Sequence, residues 1–560
     1  MSIAARRRVG VAGLLGLLAG ALVLMLAPGN PGALRLAGVG LLWWYAALAA
    51  PLASVILVAG VQRGSREAES ANGDSTVLAV AAWTSPAVLA LVAARVFSGG
   101  ADAPALTLAV LVAPLIALLA RTASGEPRPN LVAALAVSAG VGLILWANLL
   151  LFADVAGLLG LPRWAAPIVA AAVALLAVEL LHGGNAALTF LYTSALGFLA
   201  LVTIVAVALA ASPWGAWKNV ASRPALTFAE RNPWVTEGRT LAAPTALDFT
   251  EAHRVTALSP ATYRVLEPGR FREWQLRAGE TLSLRAGDRL VLDAGARLRF
   301  EAGKRVPGAP ASGVAWADPP ERGALSTVAE MLGASVTLAG GALALVGSSP
   351  ALGALSVYTG SGLLLTLVLA ALCLGVYGAY AAPGLSIGAS ALAAVFDLPA
   401  AIVPGARGRA LGVLSAIVLL VLFAATALAL RHVLGRALGE PDPGEAGAAD
   451  SRSALAGPTM TIVLVAACAA GVWGGAASRA LLAGLGLAAS AAVAPRLAGD
   501  GPGTRLLASL VGVIAFVGLA VLGPRLPPWA GVVGTYPALA AVPLAWGAAR
   551  AWNVAVASRR

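Results

Sequence analysis

Leu276-Arg277-Ala278-Gly279, Leu284-Arg285-Ala286-Gly287, Leu292-Asp293-Ala294-Gly295 and Phe300-Glu301-Ala302-Gly303 recur at intervals of eight residues. Between the glycines, apolar residues stand two apart: Leu282 and Leu284, Leu290 and Leu292, Leu298 and Phe300. A period of two is that of a half-buried strand. Ala-Gly followed by a polar residue signals a turn, because Gly takes a positive φ without a Cβ clash. The spacing predicts four short strands, arranged as a meander, one face of a small sandwich, a jelly roll or a short solenoid. Reused turn chemistry explains the repeat; a sheet that binds carbohydrate or a partner is the functional alternative.

The repeat lies in a polar segment, Pro213 to Ala324. That segment holds sixteen Lys and Arg and twelve Asp and Glu, 28 of the chain's 64 charged residues. Such a density places it in water. Its earlier half has strand-like pieces without a clear period, and includes Trp234, Phe249 and His253. It has no Cys, so no disulfide staples it. Its length suffices for one small core.

Everything around it is apolar. Of 560 residues, 59% are hydrophobic and 11% charged, with a mean hydropathy of +0.85. This is outside the soluble range and indicates a polytopic membrane protein. Lys218 and Lys304 are the two lysines, and the net charge of +12 is carried by Arg spread over loops. That distribution follows the positive-inside rule, not the pattern of a nucleic-acid patch, so no nucleic acid is expected as a partner. The Arg-for-Lys, Ala- and Gly-rich usage reads as GC-rich, bacterial coding. Cys373 and Cys468 sit inside apolar runs and read as small core residues.

About 20 apolar residues cross a bilayer. Such runs stand at about 9–27, 36–60, 76–95, 104–120, 131–152, 165–182 and 187–212. After the polar segment they stand at about 326–347, 351–382, 411–430, 459–475, 478–495, 505–523 and 529–549. Arg6, Arg7 and Arg8 resemble the charged region of a signal peptide, but no small-x-small cleavage site follows, so the first run reads as an uncleaved helix. Residues 385–403 are apolar but broken by Asp397-Leu398-Pro399, and read as re-entrant or interfacial. The expected fold is a polytopic α-helical protein of about fourteen transmembrane helices. It comprises a membrane bundle over 1–212, a small all-β extracytoplasmic domain over 213–325, and a second bundle over 326–560.

With the N-terminus inside, fifteen Arg fall on inner loops against seven on outer ones. The bias places both termini in the cytoplasm and residues 213–325 outside, since long loops translocate regardless of charge. Trp164, Trp214, Trp217, Trp234 and Trp529 then mark outer helix ends as interface anchors. The expected location is the cell (inner or plasma) membrane. Gly13, Gly16 and Gly20, and Gly471 and Gly475, have the spacing of close helix packing.

Catalytic and metal motifs are lacking. There is no Gly-x-x-x-x-Gly-Lys-Ser/Thr loop, no Cys-x-x-Cys and no zinc-type cluster, so no cofactor is implied. No Lys, Arg, Asp or Glu stands near the middle of a clear span, and Asn148 is the most central strongly polar residue. Glu179 and His182 share a helix face at i, i+3, half of a di-iron motif without its other half. Glu330 starts the span after the polar segment, and Asp397 lies in the broken one; ionisable groups at the membrane are functional candidates. Tyr358-Thr359-Gly360-Ser361-Gly362 marks a candidate helix break at a substrate site. Seven spans on each side is the count of an inverted repeat, which supports a transporter or flippase for a lipid, lipid-linked or weakly charged substrate. The alternative is a non-catalytic subunit of a cell-envelope complex that docks other membrane or periplasmic subunits through residues 213–325. A membrane-embedded transferase using Glu330, Asp397, Asp154 or His253 is a third reading. Membrane lipids are partners in every case.

Overall fold

The computed structural model describes residues 3–62, 80–100, 103–120, 130–181, 184–228, 239–240, 245–267, 270–293, 296–319, 325–346, 354–387, 392–438, 456–473, 475–498, 501–525 and 531–558. Before the polar segment run α1 (Ile3–Leu26), α2 (Leu41–Val61), α3 (Pro86–Gly99), α4 (Ala103–Ala120), α5 (Leu131–Val155), α6 (Ala166–Leu180) and α7 (Gly184–Leu209). Two short helices, α8 (Pro213–Ala221) and α9 (Gly313–Ala317), bracket the strands. Then follow α10 (Leu325–Val346), α11 (Ala354–Ala381), α12 (Ala394–Ile402), α13 (Gly405–Ala437), α14 (Ala456–Trp473), α15 (Ala477–Ala498), α16 (Pro502–Leu522) and α17 (Ala538–Ala557).

Helices lie on all fourteen apolar stretches, an arrangement compatible with a multi-pass membrane protein. Eight of the described helices are long and apolar enough to cross a membrane by length and composition; five more apolar helices are shorter. The described helices thus show eight candidate crossings and not the fourteen expected. One reason is visible at 76–95, where the chain breaks at Thr84-Ser85 and α3 begins at Pro86. Pro favours the first helical position and disfavours a helical residue before it. Residues 385–403, expected to be re-entrant or interfacial and not counted among the fourteen, hold α12, nine residues long. At 1.5 Å per residue it spans about 14 Å, half of the hydrocarbon core.

The helices on either side of the polar segment do not segregate into two bundles. α5 packs along α15, α4 along α10, α3 along α11 and α7 along α13. At the first crossing Gly140 and Gly484 abut, each with the other's carbonyl where a Cβ would sit. Nor do the halves repeat in chain order. α1 packs on α2 and α4, whereas its counterpart α10 packs on α4, α15 and α17.

Among the described residues the polar segment forms eight strands: β1 (Arg239–Thr240), β2 (Thr245–Asp248), β3 (His253–Ala257), β4 (Ala261–Glu267), β5 (Arg270–Leu276), β6 (Thr281–Leu284), β7 (Arg289–Leu292) and β8 (Arg297–Phe300). They make two antiparallel four-stranded sheets, ordered β1-β8-β3-β6 and β2-β7-β4-β5. This is the strand order of a jelly roll. β6, β7 and β8 fall where the repeat predicts them, but they form no meander. Each repeat moves the chain to the opposite sheet, so β6 and β8 both pair with β3, and β7 pairs with β2 and β4. Leu284, Leu290, Leu292, Leu298 and Phe300 are buried as the period of two requires.

The repeat's turns show why it recurs. Glu280 N–H donates to the Arg277 carbonyl and Asp288 N–H to that of Arg285. Gly279 (φ 89°) and Gly287 (φ 92°) hold the third position, as a type II turn demands. The acid after each Gly then accepts the Arg277 or Arg285 N–H, at 2.8 and 2.7 Å.

Candidate functional site

A cluster of side chains joins the helices to the strands. α8 is started by Ser212, whose Oγ accepts the Gly215 N–H, and buries Ala216, Trp217 and Val220 on one face. α9 is started likewise by Ser312. Trp217 from α8, Trp316 from α9 and Trp43 from α2 meet with ring centroids 5.4–6.4 Å apart. All three are buried. Trp43 Nε1 donates to the Ala317 carbonyl (2.7 Å) and Trp316 Nε1 to that of Val96 on α3 (2.8 Å). Gly100 is required beside Trp316, since a Cβ there would overlap its carbonyl.

Polar contacts surround the indoles. Arg35 pairs with Asp318 at 2.8 Å and lies over the Trp217 ring. Asn30 Nδ2 donates to the Pro319 carbonyl (2.7 Å), and Arg223 to that of Tyr380 at the end of α11 (2.9 Å). Trp44 packs edge-on against Trp214, with Lys218 over the latter's ring. Magnitudes decide which contact dominates. Burying an indole removes about 150–250 Å² from water, about 4–6 kcal/mol at ~25 cal/mol per Å². The part-exposed Arg35–Asp318 pair contributes about 0.2–1 kcal/mol. The junction is an aromatic clasp with a polar rim. Within it Asn30 Oδ1, Asp318 Oδ1 and Trp217 Nε1 are buried without a hydrogen-bond partner among the described residues.

Inside the bundle, polar side chains mend interrupted helices. Asn148 on α5 is buried; its Oδ1 accepts the Ala87 N–H (2.9 Å) and its Nδ2 donates to the Ile144 carbonyl (2.7 Å). Ser85 Oγ accepts the Val88 N–H, and Pro86 has none. The first turn of α3 is therefore satisfied without a ligand. Pro114 in α4 deprives the Val110 carbonyl of its helical donor, and Trp83 Nε1 supplies one at 2.9 Å. Pro495 in α15 frees the Ala491 carbonyl, which accepts from Ser509 Oγ (3.0 Å), itself an acceptor from Asn130.

The remaining sequence candidates stand on separate elements. Asp397 is buried in the first turn of α12, beside Phe396, whose ring meets Phe198 of α7 edge-on. Glu179 is exposed near the end of α6, where Arg431 donates to the Val178 carbonyl. His182 lies outside the described residues, as does Trp234. Glu330 and Tyr358 lie on α10 and α11, with only their backbones described. His253 is a buried core residue of β3. Its Nε2 is 2.8 Å from the Arg305 carbonyl and its ring lies among Phe228 and Phe249. Burial pushes its pKa down, opposed by the Arg305 carbonyl and the Glu251 carboxylate. Among the described residues, no three of His, Cys, Asp and Glu gather as a metal would require.

Sequence reasoning read Trp214 and Trp217 as interface anchors and Arg35 only as an outer-loop charge, and did not single out Trp316 or Asp318. The available signal was that Trp214, Trp217 and Trp316 stand near the two ends of the polar segment. Compared with protein-family models and with curated proteins, the chain matches none.

Proposed function

We propose that the chain is a non-catalytic subunit of a cell-envelope complex, and that its sheet-rich head is a platform for partner proteins. The clasp of Trp43, Trp217 and Trp316 carries this reading. A head on free linkers would be tethered by exposed polar chain; this one is seated by indoles from three separate segments. A fixed surface lowers the ordering cost of docking. The head faces the non-cytoplasmic side of the cell membrane, with both termini inside and fourteen helices crossing. Arg431 and Arg496, which bond the ends of α6 and α10, support that orientation. Both follow apolar runs, 411–430 and 478–495, whose C-terminal ends the positive-inside count places in the cytoplasm.

The test replaces residues 224–306 by a short Gly-Ser linker, leaving α8 and α9 in place. Protein purified from native membranes is expected to lose at least one partner while its membrane part stays folded. Retention of every partner overturns the platform.

A transporter or flippase is favoured by one observation, a helix interrupted at Ser85 inside the bundle together with the short α12 that buries Asp397. Against it, Asn148 closes the interruption and the two halves do not repeat. Lipid scrambling in vesicles holding the purified protein, abolished by Asp397→Asn, would establish it over the platform.

A further inference from the structure

We propose that a partner docks on the free edge of β5 by adding an acidic extended segment of its own chain as a further strand. This rests on the platform reading. β5 ends the sheet β2-β7-β4-β5 and, among the described residues, pairs with β4 alone. The other sheet edges are short, with two residues in β1 and four each in β2 and β6, whereas β5 has seven. Short edges are a common protection against strand addition, and β5 lacks it.

Register tells which backbone groups are offered. Glu267 opposes Arg270, leaving two residues between β4 and β5. In a two-residue hairpin the closing pair exchanges both hydrogen bonds, and bonded pairs then alternate. Residues 270, 272, 274 and 276 therefore turn their amides into the ladder, and Phe271, Glu273 and Gln275 turn theirs to the free edge. Glu273 and Gln275 are exposed.

The occupant follows from charge. Two copies pairing along the whole of β5 would set Glu273 opposite Glu273, and like charges directly opposed are destabilising. On the exposed face of this edge Glu273 is already paired with Arg264 of β4 (3.6 Å) and Arg277 adds a further positive charge, so it suits a segment bearing acidic side chains. Main-chain bonds would supply affinity and the arginines selectivity.

Proline separates the edge from the fold, because at 273 or 275 it removes an outward N–H without breaking a ladder bond. A fluorescent alternating Glu-Val octapeptide is titrated onto the full chain in micelles. It is expected to bind wild type and Glu273→Ala about tenfold or more tighter than Glu273→Pro and Gln275→Pro, and a Lys-Val octapeptide to bind weakly everywhere. Equal binding of the Glu-Val peptide to folded proline variants overturns the edge. Should one variant unfold, the other carries the test. Partners lost on head replacement yet kept by both proline variants overturn the edge and leave the platform standing. Partners kept on head replacement overturn both.

Discussion

The head and the bundle place their polar groups by opposite rules. In the head, the side-chain hydrogen bonds that close the repeat's turns are local: Glu280 reaches Arg277 and Asp288 reaches Arg285, three residues away. In the bundle, those that mend interrupted helices are long-range: Asn148 serves Ala87, Trp83 serves the carbonyl freed by Pro114, and Ser509 the one freed by Pro495. Water explains the contrast. A turn at the surface can finish its bonding with solvent, so local sequence suffices. A break within the bundle has no solvent, and each exposed backbone group needs a partner brought by another helix.

The clasp belongs to both regions, and breaking it should have the largest effect. Trp316→Ala removes a fully buried indole and its bond to Val96, and should cost about 3–5 kcal/mol. Thermal unfolding in micelles measures this, and limited proteolysis should show the head released as a fragment. A protease-resistant head in that variant would show that the indoles do not seat it.

Next come the mended breaks. Asn148→Leu leaves the Ala87 N–H buried and unpaired, at about 1–3 kcal/mol. Trp83→Phe should cost a similar amount in wild type and much less in Pro114→Ala, where the helix supplies its own donor. A double-mutant cycle with no coupling between 83 and 114 would break the comparison.

The head carries a smaller effect that depends on acidity. His253 is neutral in the fold with its pKa lowered by burial, so the unfolded chain takes up the proton first. Its contribution is fully present above the unfolded value near 6.5 and is lost as pH falls through it, with a slope of at most about 1.4 kcal/mol per pH unit. Melting of wild type and His253→Gln between pH 5 and 7 should show this slope in the former alone. The smallest effect belongs to Arg35 and Asp318, whose double-mutant coupling should be about 0.2–1 kcal/mol and fall with added salt.

The same contrast explains what could be read beforehand. Gly279 and Gly287 announced their turns because the residues that need them are adjacent. Helix positions were equally readable, since an apolar run needs no partner to be recognised. Strand pairing was not: Leu290 and Leu298 look alike in sequence but face the core from opposite sheets. β4 and β5 went unread because Arg264, Arg270 and Arg272 interrupt their apolar pattern. Among the candidates, Asn148 was found as a polar residue in an apolar run, but its task lies 61 positions away at Ala87. The meeting of Trp43, Trp217 and Trp316 depends on three chain segments that only the fold brings together.

Because consecutive repeats cross from sheet to sheet, the head has a parity. Inserting one extra eight-residue unit after Gly287 would deliver every later strand to the wrong layer, turning β8 away from β3 and unseating α9. Inserting two would restore the assignment. Length variation along this segment should therefore be tolerated in steps of sixteen residues, not eight.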